Sequence, residues 1–346
     1  MNEKLNQDRP LKSISVINNK GGVGKTTTAI NLSAALSRAG AEVLLIDLDS
    51  QGSASLALGI TRDIQENSPS AANVLFGESH VREAIRDLRA GPGFDLVAGS
   101  VELADTDVRL AEVRDRVGRL ERILKDIRDE YDAIILDCPP STSLVTVNAI
   151  SASDGVLIPL LPSYLGLEGI VSLGEVFSKV RDNIGYTPPI LGIVLTLTDP
   201  DGESSSEVIE QVRSHYGEKV FETEIGKHPE LEDAPGYNQT IYEFDPHSEG
   251  AQVYTNLTNE VINRISKHNQ QLAQKRNEEA PAVTGRTEPD GSRQEGQSGS
   301  SPSPPPGGQR QQPKHGQQAP SSSSATESAP STSKDEAQDR LDDFMS

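Results

Sequence analysis

The sequence feature that most limits the fold is a glycine-rich loop between an apolar run and an amphipathic stretch. The apolar run at 13–17 leads into Asn-Asn-Lys-Gly-Gly-Val-Gly-Lys-Thr-Thr-Thr at 18–28, and helical periodicity covers 26–39. Glycines let the backbone turn so that successive N–H groups point inward, and the N-terminus of the helix adds a positive dipole at the same point. The pattern predicts a phosphate cradle in which Lys25 reaches the β- and γ-phosphates and the Thr26 hydroxyl ligates Mg²⁺.

The start of this loop departs from the common G-x-x-x-x-G-K-[ST] pattern. Asn19 stands where the first glycine is usual, and Lys20 supplies a second lysine. The remainder of the loop is in register with the pattern and opens a helix. We therefore predict nucleotide binding by Lys20, Gly21, Gly22, Val23, Gly24, Lys25, Thr26 and Thr27.

Short apolar runs alternate with amphipathic stretches through the first 267 residues. The apolar runs predict strands at 13–17, 43–46, 94–97, 133–136, 156–160, 191–197 and 219–225, and the amphipathic stretches predict helices at 26–39, 81–88, 117–130, 167–181, 206–215 and 250–267. Strands that are apolar at successive positions suit a sheet covered on both faces. The pattern predicts an α/β fold, a doubly wound and mostly parallel sheet of the P-loop NTPase type, with ligands beyond the carboxyl ends of the strands.

Carboxylates follow two of these strands. Asp47 and Asp49 end the second run two residues apart, so their side chains point the same way. Asp137 ends the apolar run at 133–136 and is expected to hold Mg²⁺ through water. Carboxylates this close to a polyphosphate would repel it, so the arrangement requires Mg²⁺.

The composition changes near residue 278. Of the 69 residues at 278–346, 37 are Ser, Gln, Pro or Gly, and such a segment buries too little apolar surface to offset its chain entropy. We predict a polar arm at 1–12, one P-loop domain at 13–268, a polar linker or helix end at 269–277, and a disordered tail at 278–346. Apolar residues at helical spacing predict a short helix at 334–345 within that tail.

The cysteine count and the hydropathy exclude two classes of protein. A single cysteine cannot close an internal disulfide, and no apolar run approaches the ~18 residues of a membrane span. We therefore expect a cytoplasmic protein without a membrane partner.

Lys-Gly-Gly-Val-Gly-Lys-Thr-Thr resembles the deviant Walker A loop of the ParA/MinD family of P-loop ATPases. The segments at 47–53, 137–141, 162–169 and 225–235 resemble further family motifs, and together they cover about 14–265. The resemblance implies ATP and Mg²⁺ as cofactors and an ATP-sandwiched homodimer. It implies that Lys20 reaches the phosphates of the partner subunit, that Asp49 orients the attacking water, and that Asp47 supports the Mg²⁺ held by Thr26 and Asp137.

Several branches of this superfamily do not fit the chain. One cysteine per chain cannot supply the four thiolates of a cluster shared by two subunits. The tail has no Tyr, unlike the tails of the related tyrosine kinases, and the acidic face of its terminal helix would be repelled by anionic lipid. The ParA/Soj branch remains, in which an ATP-bound dimer binds DNA without sequence preference on the nucleoid and a ParB-like partner stimulates hydrolysis. The alternatives are an ATP-gated adaptor that positions a protein cargo, or a MinD-like ATPase without direct DNA binding.

The net charge of −20 conflicts with simple DNA binding, because phosphate backbones attract Lys and Arg. Acid stands at 199–203 where many relatives carry an Arg. The acidic excess resembles that of proteins from salt-loving archaea, in which concentrated salt screens net charge over a few ångströms. The candidate DNA contacts are Arg213, Lys219, Lys227, Arg264 and Lys267, with Lys275 and Arg276 beyond them.

Overall fold

A computed structural model of the chain describes residues 10–199 and 203–279. Its strands are β1 Ser13–Val16, β2 Val43–Asp47, β3 Ile85–Asp87, β4 Asp95–Val97, β5 Ala133–Asp137, β6 Gly155–Leu160, β7 Ile190–Thr198 and β8 Ile225–Gly226. They form a sheet in the order β3-β4-β2-β5-β1-β6-β7-β8, in which β3 pairs antiparallel with β4 and the other pairs are parallel. The order places β1, which leads into the glycine-rich loop, between β5 and β6.

Helices connect the strands on both faces of the sheet. They are α1 Lys25–Arg38, α2 Ser53–Ala57, α3 Arg62–Glu66, α4 Ala71–Phe76, α5 Val81–Ala84, α6 Thr106–Arg109, α7 Arg119–Lys125, α8 Leu144–Ala152, α9 Tyr164–Ile184, α10 Glu203–Tyr216, α11 Pro229–Asp233, α12 Ile241–Phe244 and α13 Glu249–Glu279. Shorter 3-10 turns lie at Val101–Asp105, Arg128–Glu130, Gly217–Lys219 and Ala234–Tyr237. Each of these helices is too short or too polar to cross a bilayer, as far as the described residues go.

Two apolar clusters sandwich the sheet. Successive residues of β2 belong to opposite clusters, Leu44 and Ile46 to one, Val43 and Leu45 to the other. Side chains alternate across a strand, so this division shows that both faces of the sheet are covered. Helices α8 and α9 contribute to the first cluster, and α1 and α13 to the second. The predicted α/β fold, with a doubly wound and mostly parallel sheet, is confirmed.

Two predicted elements are wrong in detail. The predicted helix at 81–88 is the one-turn helix α5 followed by the edge strand β3. The predicted strand at 219–225 is a 3-10 turn, a single bridge between Val220 and Ile193, and the two-residue β8. Helix α13 also continues twelve residues beyond its predicted end at 267. Residues 1–9 of the arm predicted at 1–12 and residues 280–346 of the tail predicted at 278–346, with its helix at 334–345, lie outside the described residues.

Candidate nucleotide site

The phosphate loop leaves β1 at Val16 and enters α1 at Lys25. Gly22 and Gly24 adopt left-handed backbone conformations with φ of 73° and 78°, which a residue with a Cβ would occupy only under strain. A Cβ built on Gly21 or Gly22 would meet no atom within 4 Å, so there is open space beside the loop at both glycines. The loop therefore has the conformation and the free space of an anion cradle.

Hydrogen bonds with three surrounding elements hold this loop in place. Within the loop, Asn18 Oδ1 accepts a hydrogen bond from the Lys20 backbone N–H at 3.0 Å, which fixes the first turn. Three bonds reach outward: Asn18 Nδ2 donates to Pro159 O of β6 (2.8 Å), Asn19 Nδ2 donates to Ser172 Oγ of α9 (2.9 Å), and Thr196 Oγ1 of β7 donates to Val23 O (2.9 Å).

Lys25 lies inside the loop. Its ammonium donates to the backbone carbonyl of Lys20 at 2.8 Å, and the residue is only 7% exposed. Burial lowers the pKa of Lys25, although Asp137, Cys138 and Asp49 each act in the opposite direction. The side chain of Lys20 is half-buried at the start of the loop, separate from this internal contact.

Asp137 is a fully buried carboxyl group whose charge the chain compensates only in part. Neither carboxylate oxygen has a hydrogen-bond partner among the described residues, and the residue is 0% exposed. Burial and then the charge of Asp47 raise the pKa of Asp137 well above its usual value, while Thr26 and Lys25 act to lower it. A cation would supply the missing compensation.

The groups around Asp137 suit Mg²⁺. A carboxylate and a threonine hydroxyl are hard oxygen ligands, and Mg²⁺ commonly takes one or two such protein ligands together with phosphate oxygens and water. The described residues contain no group of three His, Cys, Asp or Glu side chains that could hold a metal ion. Thr26 and Asp137 therefore fit a magnesium ion that a bound polyphosphate helps to coordinate.

Asp47 is also buried, but its oxygens are engaged. Oδ2 accepts from the backbone N–H and the hydroxyl of Ser55 at 2.9 and 2.7 Å, and Oδ1 accepts from the Asp49 N–H at 3.1 Å. Burial raises the pKa of Asp47 to about 6 in spite of these bonds. Asp47 thus holds the segment from Asp49 to Ser55 against the end of β2, and its predicted support of Mg²⁺ stays a prediction.

Asp49 is less buried than the other two carboxylates. Its Oδ1 accepts from the Gln51 N–H at 2.9 Å, and its carbonyl accepts from the Gly52 N–H at 2.9 Å, which turns the chain into α2. Its charge acts on both Lys25 and Asp137. The structure thus gathers the predicted lysine, threonine and carboxylates at the carboxyl edge of the sheet.

A cavity of about 360 Å³ adjoins the phosphate loop, and sequence reasoning did not predict most of its wall. The hydroxyl of Tyr254 on α13 lies 3.2 Å from the Thr28 hydroxyl of α1, which closes one side. Leu197 adopts φ of 52° at an irregularity near the end of β7. The segment 225–235 resembles a family motif, but no spacing of residues in the sequence predicts that His228 or Tyr254 lines a cavity. The lining residues are Gly24, Thr27, Thr196, Leu197, Ile225, Gly226, His228, Leu231, Glu232, Pro235 and Tyr254.

The candidate DNA contacts differ in their availability. Arg213 pairs with Glu224 at 2.8 Å and Lys227 with Asp199 at 3.2 Å. Lys219 is half-buried, whereas Lys267 is exposed on α13.

Arg264 has a structural role that the sequence did not predict. Its guanidinium stacks over the ring of Phe221 at 3.9 Å. It donates to three backbone carbonyls: Leu191 O (2.9 Å), Lys219 O (3.0 Å) and Val220 O (2.9 Å). Arg264 therefore attaches α13 to the sheet, and both of its terminal nitrogens donate within the chain.

Known proteins resemble this chain in both sequence and fold. A family model described as an AAA domain matches residues 11–188. The chromosome partitioning protein ParA of Caulobacter vibrioides is 37% identical over 257 residues, 74% of this chain and 95% of that protein. The chromosome-partitioning ATPase Soj of Thermus thermophilus is 39% identical over 258 residues, 74% of this chain and 98% of that protein. Cobyrinic acid a,c-diamide synthase from Mycobacterium smegmatis, solved with an ATP analog and magnesium, has a TM-score of 0.62 and 29% identity over 72% of this chain and 93% of that chain.

Proposed function

Since this chain belongs to the ParA/MinD family of P-loop ATPases, we propose that it is a Mg²⁺-dependent ATPase that ATP assembles into a homodimer for chromosome or plasmid partition. The observation that carries the proposal is the buried carboxyl of Asp137, whose two unpartnered oxygens lie near Thr26 and Lys25. The site is electrostatically incomplete without a cation. The names of the ParA and Soj relatives support partition as the purpose.

The side chains of the site divide the work. Backbone N–H groups at 21–25 face the phosphates, and the Lys25 ammonium exchanges its bond to Lys20 O for phosphate oxygens. Thr26 and Asp137 would hold Mg²⁺, which when bound neutralises charge on the phosphate oxygens. Asp49 orients the attacking water, and Asp47 keeps the segment that carries Asp49 in place.

Lys20 completes the site of the partner subunit. A second cation on the transferred phosphoryl group stabilises the charge that develops there, as an arginine finger does. This role marks the loop as the deviant form of Walker A, and it makes hydrolysis depend on dimerisation. We expect hydrolysis to be slow until a ParB-like or cargo-adaptor protein stimulates it.

Three variants of the full chain test the nucleotide site. Lys25→Ala should lose ATP binding, Asp49→Ala should bind ATP and accumulate as a dimer, and Lys20→Ala should fail to hydrolyse ATP. Binding is measured by calorimetry, assembly by light scattering and turnover by phosphate release. Lys267→Ala, an exposed lysine on α13, is the matched control and should behave as wild type. Unchanged ATP affinity in Lys25→Ala would refute the site.

The proposed DNA step is tested separately. The ATP-bound dimer should retain DNA of any sequence, and retention should fall steeply with salt because each phosphate contact releases counterions. If the acidic composition reflects a cytoplasm with concentrated salt, as in salt-loving archaea, the dimer should still retain some DNA near 1 M salt. Co-sedimentation of Asp49→Ala with DNA and ATP across salt concentrations measures both.

A second candidate is an ATP-gated adaptor or MinD-like ATPase that positions a protein cargo without binding DNA. The pairing of Arg213 and Lys227 with acids, together with the occupied guanidinium of Arg264, favours it. Absence of DNA retention at every salt concentration, with ATP-dependent dimers still present, would select this candidate.

A further inference from the structure

Helix α8 begins seven residues after Asp137 and lacks a side-chain cap of its own. Ser143 occupies its N-cap position in an extended conformation, but the side chain makes no capping hydrogen bond. The Ser143 hydroxyl instead accepts from Ser141 Oγ at 2.9 Å. The first turn of α8 also contains no acidic residue. The local sequence therefore leaves the first N–H groups and the positive dipole of this helix without their usual balance.

Asp107 supplies that balance from a different element. Its Oδ1 accepts from the backbone N–H of Leu144, the first residue of α8, at 3.0 Å. Asp107 lies on the one-turn helix α6, 37 residues earlier in the chain. A carboxylate that accepts from the first turn of a helix provides a capping bond and a favourable charge together. The bond therefore attaches the start of α8 to α6.

Buried side chains fix α6 in position, so that Asp107 can act as an anchor. Leu103 and Leu110, on either side of α6, are buried in the first apolar cluster, to which α8 also contributes. Thr106, the first residue of α6, is fully buried, and its Oγ1 donates to Leu103 O at 2.7 Å. Asp107 itself is exposed. An exposed carboxylate on a fixed support thus holds the N-terminus of α8 from outside the core.

The segment 99–107, which ends at this anchor, begins beside the carboxylates that follow β2. It leaves β4, the neighbour of β2 in the sheet. The Gly99 N–H donates to Ser55 Oγ at 3.0 Å, and the Ser55 hydroxyl donates to Asp47 at 2.7 Å. A Cβ on Gly99 would stand 2.8 Å from both Asp47 Cγ and the Asp49 carbonyl oxygen, so the two backbones are in close contact. The segment therefore packs against the loop that carries Asp49 at one end and is bonded to the start of α8 at the other.

Only a short loop separates Asp137 from α8. The loop 138–143 contains two consecutive prolines at 139–140, whose fixed φ restricts its motion. Thr146 Oγ1 on α8 donates to Ser141 O at 2.8 Å, which joins the loop to the first turn of the helix. A displacement of the start of α8 would therefore reach Asp137 through a stiff connection.

We propose that Asp107 is a positioning residue for ATP hydrolysis. By holding the start of α8, it keeps the loop 138–143, and with it Asp137, in place relative to Asp49. This role rests on the proposed ATPase function and adds a residue outside the phosphate loop and the buried carboxylates. Because Asp107 acts through other residues, its loss should slow hydrolysis more than it weakens ATP binding, which depends on the phosphate loop and Lys25.

Phosphate release under single-turnover conditions and calorimetry with a non-hydrolysable ATP analogue, both with Mg²⁺, test this role in the full-length protein. Asp107→Ala should slow hydrolysis about tenfold and change the affinity for the analogue less than twofold, since one hydrogen bond to a charged group is lost away from the phosphates. Asp107→Asn keeps an oxygen that can accept from the Leu144 N–H and should recover at least half of the wild-type rate. Asp105→Ala removes an exposed acid of the same segment that makes no capping bond, and this matched control should behave as wild type.

Hydrogen exchange of the nucleotide-free protein gives a readout that does not depend on hydrolysis. The peptide at 138–147 contains the Leu144 N–H, and it should exchange about threefold faster at this amide in Asp107→Ala, because the acceptor is lost. The same peptide of Asp105→Ala should exchange as in wild type. Peptides from α13 should be unchanged in every variant, which excludes a general loss of folding.

The outcomes separate this inference from the proposed function. If wild type neither binds the analogue nor hydrolyses ATP, the proposed ATPase function fails. If wild type is active and Asp107→Ala keeps the wild-type rate, or loses rate and affinity by the same factor, the ATPase function stands and the positioning role is overturned. An equal loss of rate in Asp107→Asn would overturn the role of the accepting oxygen, and an equal loss in Asp105→Ala would overturn the assignment to Asp107.

Discussion

The sheet has an amino edge, where its parallel strands begin, and a carboxyl edge, where they end. Both bury carboxyl groups, but the two edges differ in the hydrogen bonds that these groups receive. At the amino edge, Asp154 Oδ2 accepts from the N–H groups of Lys12 and Ser13 at 2.9 and 2.7 Å and also pairs with Arg128. At the carboxyl edge, Asp137 is buried to the same degree and has no hydrogen-bond partner among the described residues. Equal burial with unequal compensation indicates that the first edge maintains the fold and the second is kept for a ligand.

A second pair on the amino edge follows the same rule. Asp95 accepts from the Tyr131 hydroxyl at 2.7 Å and from two nitrogens of Arg89 at 3.2 and 3.0 Å. Burial first, and then the bond to Asp95, raise the pKa of Tyr131, so the phenol remains a donor. The comparison therefore makes opposite predictions for substitutions at the two edges.

Removal of the carboxylate on the amino edge should have the largest effect on stability. Asp154→Ala leaves the half-buried guanidinium of Arg128 without its carboxylate partner and two backbone N–H groups without their acceptor. We expect the free energy of unfolding to fall by about 3–5 kcal/mol, as when one partner of a buried ion pair is removed. Urea denaturation measures it, and ATP affinity should change little. A loss below about 1 kcal/mol would contradict the assigned role of this edge.

Neutralisation of the carboxylate on the carboxyl edge should have the opposite sign. Asp137→Asn removes a buried charge that has no hydrogen-bond partner among the described residues, so the nucleotide-free protein should gain about 1–3 kcal/mol in its free energy of unfolding. The same variant should lose Mg²⁺-dependent hydrolysis at least 100-fold. Parallel denaturation and phosphate-release assays test both parts. Destabilisation by Asp137→Asn would mean that Asp137 is compensated in the free protein.

The stability of the nucleotide-free protein should also depend on pH through Asp47, a second buried carboxyl group at the carboxyl edge. The pKa of Asp47 is about 6 in the folded chain against a usual 3.8, so the folded state holds this proton more tightly. Its stabilising contribution is present at low pH and is lost as pH rises through 6. In nucleotide-free protein, the stability of wild type relative to Asp47→Asn should fall by about 1–2 kcal/mol between pH 5 and pH 8. A constant difference across that range would show that the carboxyl is not perturbed.

The smallest effect is expected at Ser55. Its hydroxyl donates to Asp47 at 2.7 Å and accepts from the Gly99 N–H at 3.0 Å. Ser55→Ala should cost about 1 kcal/mol in stability. It should lower kcat more than ATP affinity, because the segment that carries Asp49 loosens. The exposed neighbour Ser53, changed to Ala, is the control and should have little effect. If the two variants had the same stability and the same kcat, the bond between Ser55 and Asp47 would have no part in positioning Asp49.

The sequence predicted the parts of the fold that local chemistry determines. The strands that are apolar at successive positions were predicted correctly except at 219–225. The glycine-rich loop was predicted correctly because its pattern of glycines, lysine and threonines has a characteristic conformation. Helix α8 was not predicted, since eight of its nine residues are buried and it shows no amphipathic period. The 81–88 segment was read as one helix because a single turn followed by three strand residues leaves too short a pattern to separate.

Long-range partners explain what the sequence did not predict at the site. Arg264 bonds to carbonyls 44 to 73 residues away in the chain, so no local sequence pattern predicts its structural role. The identity of Asp137 was predictable from the strand that it ends, but its lack of partners depends on the packing of several strands. His228 came into view only through the cavity that it lines.

The bonds from Asn18, Asn19 and Thr196 to and from the phosphate loop have a thermodynamic consequence. Fixing one backbone residue costs about 1–2 kcal/mol, so a loop that ordered only on contact with its ligand would give up much of its affinity. Here that cost is met during folding. Nucleotide capture should therefore proceed with little loss of backbone entropy.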